Sequence, residues 1–186
     1  MRVAGLLLAA GAGRRFGGPK ALVTRGGAPW VESAGAVLRD GGCAPVVVVL
    51  GAGADEVRAR AALDDVVVVE NPAWATGMGS SLRAGLAALP GSADAVVVLP
   101  VDTPGVTAAA VRRFVDLAAP AALARASYRG APGHPVLIGR EHWAGVSSAA
   151  TGDAGARHYL RVHGAARVPC EDVADGADVD RPQDLP

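Results

Sequence analysis

Short apolar runs punctuate the chain at Leu6–Ala9, Val46–Leu50, Val66–Val69 and Val96–Leu99. Each is too short for a helix and apolar at odd and even positions alike, the pattern of strands covered on both faces of a sheet. They are expected to be central parallel strands. Between them, Val31–Arg39, Ala54–Leu63 and Ser80–Leu89 mix apolar, small and charged residues as crossover helices do. Thr107 suits the N-cap of a helix running to about Ala118, because its hydroxyl can take up a free amide of the first turn. A strand near Ala121–Ser127 follows. From Tyr128 the chain is rich in turn residues and reads as a hairpin or excursion that ends in a strand around Pro135–Ile138. Gly152-Asp153 then opens a helix to about Val162. The alternation predicts one three-layer α/β domain over residues 1–186 with a mostly parallel sheet, divided into two halves near residue 106, its pattern loosening after Ser127.

Composition narrows the function. Of 186 residues, 51% are hydrophobic and 19% charged, enough apolar material for one sizeable core. Lys+Arg and Asp+Glu both number 18, so the net charge is zero. A broad basic surface for nucleic acid or an anionic membrane is therefore not expected. With only 4% aromatics, stacked-base platforms are not expected either. Any anion site must be local. No apolar run approaches the roughly 18 to 20 residues that cross a bilayer. The opening Met1–Ala10 has some signal-peptide character, but reads better as a strand entering a loop. Cys43 and Cys170 lack metal-ligand spacing and fit a reducing compartment, so a cytoplasmic location is expected.

In open α/β sheets, ligands bind beyond the carboxyl ends of the strands. The first such loop, Leu8-Ala9-Ala10-Gly11-Ala12-Gly13 running on to Arg15 and Lys20, concentrates glycine and cations. Successive amides there can surround phosphate oxygens, with Gly11 and Gly13 letting the main chain come close. The dinucleotide fingerprint fails because position 16 is Phe. The ATPase loop fails because Gly-Pro-Lys-Ala stands where Gly-Lys-Ser/Thr is needed. A nucleoside triphosphate accounts for the cations: Arg15 offers a fork of donors and Lys20 a point charge. The rival reading is a solvated glycine turn. Asp102, just after Val96–Leu99, is a hard oxygen ligand suited to Mg²⁺ held between a carboxylate and phosphates, or else the start of an Asp-Thr-Pro turn. A serine-hydrolase reading has little support, because no base stands at a telling spacing from Ser147-Ser148.

The run Leu-Ala-Ala-Gly-x-Gly-x-Arg-Phe-Gly-x-Pro-Lys resembles the signature loop of nucleotidyltransferases with a Rossmann-like nucleotide-diphospho-sugar transferase fold. Among these the chain is most similar to the MobA/MocA-like molybdenum cofactor cytidylyltransferases. Asn71–Leu86, Leu99–Pro104, Gly133–Leu137, Gly152–Arg157 and Asp178–Leu185 resemble later landmarks in the same order. Position 103 is Thr where Met or His is frequent, and 181 is Arg where Thr is common. Ala9-Ala10 resembles the cytidylyl branch, whereas the guanylyl branch tends to carry glycines there.

The resemblance implies transfer of CMP from CTP, with GTP as the alternative donor, to a phosphorylated acceptor such as molybdopterin, with loss of pyrophosphate. A sugar or polyol phosphate is an alternative acceptor, and the product could pass to a molybdoenzyme partner. It implies Lys20, Arg15 and Asp102 as catalytic, and Mg²⁺ on Asp102 with Asp178 and Asp180, Asp175 being a rival by spacing. It places Leu8–Gly13 and Gly79, Ser80 and Ser81 around the nucleotide, and His134 and Asp153 on the acceptor side. Blander readings stand beside these: Ser80 and Asp153 as helix caps, His134 as a turn residue, the late aspartates as an acidic tail. Trp74 and Trp143 read as packing residues. A non-catalytic nucleotide-binding chaperone and a nicotinamide-dependent oxidoreductase are the rivals from other classes.

Overall fold

A computed structural model describes residues 1–185, with all their side chains except that of Arg25. Strand β1 (Val3–Ala9) is buried throughout. A two-residue ribbon, β2 (Thr24–Arg25) with β3 (Ala28–Pro29), leads into α1 (Trp30–Asp40). Then come β4 (Val46–Leu50), α2 (Ala54–Arg60), β5 (Val67–Glu70), α3 (Met78–Ala87), β6 (Ala95–Pro100) and α4 (Ala108–Asp116). The second half adds the hairpin β7 (Leu123–Tyr128) and β8 (Ala131–Gly139), then α5 (Trp143–Ala149), α6 (Arg157–Val162) and β9 (Ala166–Pro169).

The main sheet has seven strands in the order β5-β4-β1-β6-β8-β7-β9, and only β8 runs against its neighbours. The period-two alternation of side chains divides the core. Leu7, Val48 and Val97 face one layer with α1, α2 and α4, while Leu6, Val47 and Val96 face the other with α3, α5 and α6. Both faces of β1, β4 and β6 are therefore covered, which explains their unbroken apolar runs. The chain builds outward from β1 to β4 and β5, then crosses to β6 on the other side of β1. That reversal opens a crevice between the carboxyl ends of β1 and β6.

Several expectations are corrected. Val66–Val69 is not central: β5 is an edge strand, and Val67 is 47% exposed. The second helix stops at Arg60, where Ala61 turns extended, rather than reaching Leu63. The helix from Gly152 splits, because Gly155 at φ 51° and ψ −129° separates a 3₁₀ turn at Gly152–Ala154 from α6. Thr107 does cap α4, its hydroxyl accepting from the Ala110 amide at 3.3 Å. Cys43 and Cys170 are free and buried, and burial pushes the Cys43 thiol up to about 12. Among the described residues no helix is long and apolar enough to cross a membrane.

Candidate functional site

The loop after β1 folds back on itself. Gly13 sits at φ 56°, and a Cβ there would lie 2.0 Å from the Gly18 carbonyl oxygen, so only glycine allows the closure. The Gly13 carbonyl accepts from the Phe16 amide at 2.8 Å, and Phe16 packs edge-on against Trp30 at the start of α1. This return carries Lys20 beneath the loop. A cavity of about 490 Å³ opens at the crevice, walled by Leu8, Ala10, Gly11–Gly13, Lys20 and Asp102. Ala9 points into the opposite core layer. Arg15 lines the same space, as does Arg14, which the sequence reading did not single out.

Lys20 is the centre of the site. Its Nζ donates to Asp102 Oδ2 at 2.9 Å and to Asp180 Oδ1 at 2.8 Å. Burial opposes the Lys20 charge, but the hydrogen bonds to Asp180 and Asp102 outweigh it and hold the pKa above the ordinary Lys value. The same bond from Lys20 holds the Asp180 carboxyl below the usual range. The late segment is pinned here by its backbone: the Val179 amide donates to the Asp102 carbonyl at 2.9 Å, and the Val179 side chain is buried. Asp178 and Asp180 thus flank an anchored residue. Partial desolvation of its carboxyl and then the charges of Asp102 and Asp180 push the Asp178 pKa up. Asp175 is committed elsewhere, its Oδ1 accepting from the Ala177 amide at 3.0 Å.

Asp102 and Asp180 already converge on one positive centre, which is the donor chemistry a hard divalent cation requires. Among the described residues no three His, Cys, Asp or Glu side chains are grouped as a ready metal cage. Two carboxylates therefore fit a cation whose remaining ligands are phosphate oxygens and water.

The second motif is divided. Asn71 is buried, and its Nδ2 donates to Ser80 Oγ at 2.8 Å and to Ser81 Oγ at 3.0 Å. Ser80 Oγ also donates toward the carbonyls of Ala73 and Gly77, which makes it a fastener of the loop rather than part of the cavity wall. Gly79 is likewise off the wall, because a Cβ there would lie 2.8 Å from the Ala150 carbonyl carbon. Ser81 does line the cavity, together with Trp74 and Met78. Trp74 also packs against the core, so the packing role read for it is only half of its position; Trp143 packs, with Nε1 donating to the Ile138 carbonyl at 3.0 Å. Asn71 braces both serines, a role that only the fold reveals.

A second cavity of about 690 Å³ adjoins the first, and both are lined by Asp102 and Asp153. His134 and Asp178 line the second. Burial drives the His134 imidazole down to about 4 against the help of Asp102, so the ring is neutral at pH 7. Arg125, Arg157, Arg161 and Arg167 share its wall. Sequence reasoning misses them as a group because they lie on β7, α6 and β9 and meet only in the fold.

A glycine loop, a lysine and two carboxylates thus meet at the switch point of an α/β sheet, and comparison with known proteins places the chain in a family. The model of the MobA-like NTP transferase domain matches residues 5–168, and the chain belongs to this nucleotidyltransferase family. It is 42% identical over 188 residues to the "Nicotine blue oxidoreductase" of Paenarthrobacter nicotinovorans, covering 96% of this chain and 92% of that one. It is 34% identical over 195 residues to the "Molybdenum cofactor guanylyltransferase" of Cereibacter sphaeroides, covering 100% and 94%. Among solved structures, Rv0371c from Mycobacterium tuberculosis superposes with a TM-score of 0.83 at 29% identity, covering 99% and 95% of the two chains. A complex of Rv0371c with manganese gives 0.77 at 30% identity, covering 99% and 96%.

Proposed function

We propose that the chain transfers a nucleoside monophosphate, CMP from CTP, to a phosphorylated acceptor, with molybdopterin the leading candidate. An acceptor phosphate oxygen attacks the α-phosphorus in line, the bond to the β-phosphate bridging oxygen breaks, and pyrophosphate leaves. The observation that carries this reading is Lys20 held between Asp102 and Asp180 in the cavity that the glycine loop also lines. The amides of Ala10–Gly13 orient the triphosphate, and Arg15 and Lys20 offset the charge that builds on the departing pyrophosphate. Asp102 and Asp180, with Asp178 close by, would hold Mg²⁺. Bound there, that ion would neutralise phosphate charge and align the reacting groups. The manganese complex of the Mycobacterium tuberculosis relative supports a divalent cation in this fold. Placement of the protein in the cytoplasm belongs to the same reading.

Ala10 supports cytosine. It lines the cavity at a position where the guanylyl branch tends to carry glycine, and that resemblance to the cytidylyl branch is what supports CTP. The Cereibacter sphaeroides relative favours GTP as the alternative donor. Pyrophosphate release measured with each of the four nucleoside triphosphates and phosphorylated acceptors tests the proposal. It should be fastest with CTP and abolished by a chelator; a strong preference for GTP would reverse the donor assignment. Tight nucleotide binding without release under every acceptor would point instead to a non-catalytic carrier.

A second reading, oxidoreductase, is favoured by the 42% identity to a protein of that name. It predicts consumption of reduced nicotinamide in the presence of a suitable acceptor dye. No consumption, with pyrophosphate release intact, rejects it.

A further inference from the structure

The second cavity carries four arginines that no ion pair among the described residues engages. Arg125 on β7 and Arg167 on β9 are register partners in parallel strands, so both project from the same face of the sheet. Arg157 and Arg161, four residues apart on α6, lie on one side of that helix across the cavity. The ion pairs among the described residues engage Lys20, Arg58, Arg60 and Arg113, and none reaches these four arginines. The polar contacts they do make go to neutral groups. Arg167 donates to the Gly130 carbonyl at 3.2 Å, and Arg161 meets His158 Nδ1 at 3.2 Å.

Arg125 is the most exposed to this imbalance energetically. Its Nε is fully buried with no hydrogen-bond partner. Burial first, and then the charges of Arg157 and Arg167, push its pKa below the ordinary Arg value. A guanidinium drawn into a protein beside like charges is costly unless an anion compensates it. Of the cavity's carboxylates, Asp102 and Asp153 also line the nucleotide cavity, and Asp178, which feels the Arg157 charge without pairing with it, lines this one alone. The space is therefore electrically bipolar.

We propose that this arginine cluster is the seat of the acceptor and selects a multiply anionic one, bearing a further anionic group, such as a carboxylate, a second phosphate or the ionised dithiol of a molybdopterin, in addition to its reacting phosphate. The inference rests on the nucleotidyl-transfer reading for the word acceptor, but not for the anion site. Four guanidinium groups exceed the charge of about −2 on one phosphate monoester. Acceptors whose remainder is a neutral polyol leave part of the cluster unmatched.

The test compares two probes of one skeleton, 3-phosphoglycerate and glycerol 3-phosphate, by calorimetry on the whole chain, with CTP binding and pyrophosphate release measured in parallel. The carboxylate-bearing probe should bind about tenfold tighter, as one charge-assisted contact implies. That preference should fall to within about twofold in Arg167→Gln and Arg157→Gln. Both side chains belong to exposed residues, so the variants keep the fold, and CTP affinity should not change. Arg125→Lys, which keeps the charge, should retain most of the preference. Equal binding of the two probes by the unaltered protein overturns the proposal, as does a preference that survives both glutamine variants. If the preference behaves as expected while no nucleoside triphosphate yields pyrophosphate, the anion site stands and the transfer reading falls.

Discussion

Gly11 and Lys20 sit where the proposed chemistry is most sensitive to a single side chain. A Cβ on Gly11 would meet nothing within 4 Å, and its φ is not positive, so the fold does not require glycine there. Phosphate does, if the amides of this loop are to approach it. Gly11→Ala should leave the melting temperature almost unchanged yet raise the KM for CTP several-fold, which thermal melts and pyrophosphate assays on one preparation would show. Lys20→Ala should lower turnover by about a hundredfold or more, the scale of losing one charged donor at a transition state. Circular dichroism should still report the native fold, and near-normal turnover would remove Lys20 from the chemistry.

His134 gives a pH prediction with a definite sign. Its folded-state pKa of about 4 lies below the ordinary 6.5, so between those values the unfolded chain binds more protons. Stability therefore rises with pH through that window and is lost as pH falls from 6.5 toward 4. Urea midpoints should fall along this slope, and His134→Gln should flatten it; an unchanged slope would mean the imidazole is not desolvated as described.

Among the elements, legibility in the sequence follows burial. β1, β4 and β6 are covered on both faces, so their valine and leucine runs announce them, and the residues just beyond them, Gly11–Lys20 and Asp102, are legible as site candidates for the same reason. β9, with Ala166, Arg167 and Pro169 exposed, has no such run and escapes notice. So does α5, which buries only Val146 and contains Gly145 and two serines, all weaker helix formers than alanine. Ser80 and Gly79 lie in the right motif, but their roles depend on what packs against them. Gly77 shows how closely these elements meet: at φ 111°, its Cβ would stand 2.5 Å from the Gly152 carbonyl carbon and 2.8 Å from Asp153 Oδ1. Gly77→Ala should destabilise by about 1–3 kcal/mol through strain and overpacking. It should also weaken catalysis by displacing Asp153, and native stability in denaturant melts would contradict this.

For the molecule as a whole, the reversal of strand order between β1 and β6 decides where chemistry can occur. It sets the loop of one strand against the carboxylate of the next, and the antiparallel β8 beside β6 extends the floor into the second cavity. Two spaces of unlike character thus meet at Asp102, one walled by backbone amides and the other by arginines. No run of sequence displays that junction, because Lys20, Asp102 and Asp180 are separated by 82 and 78 positions along the chain. The most direct measurement is a crystal structure with a non-transferable CTP analogue and Mn²⁺, read by anomalous scattering. The account predicts the metal between Asp102 and Asp180, Lys20 turned to the phosphates, and the triphosphate against the amides of Ala10–Gly13. A nucleotide bound away from that loop, or a metal that touches neither carboxylate, would contradict it.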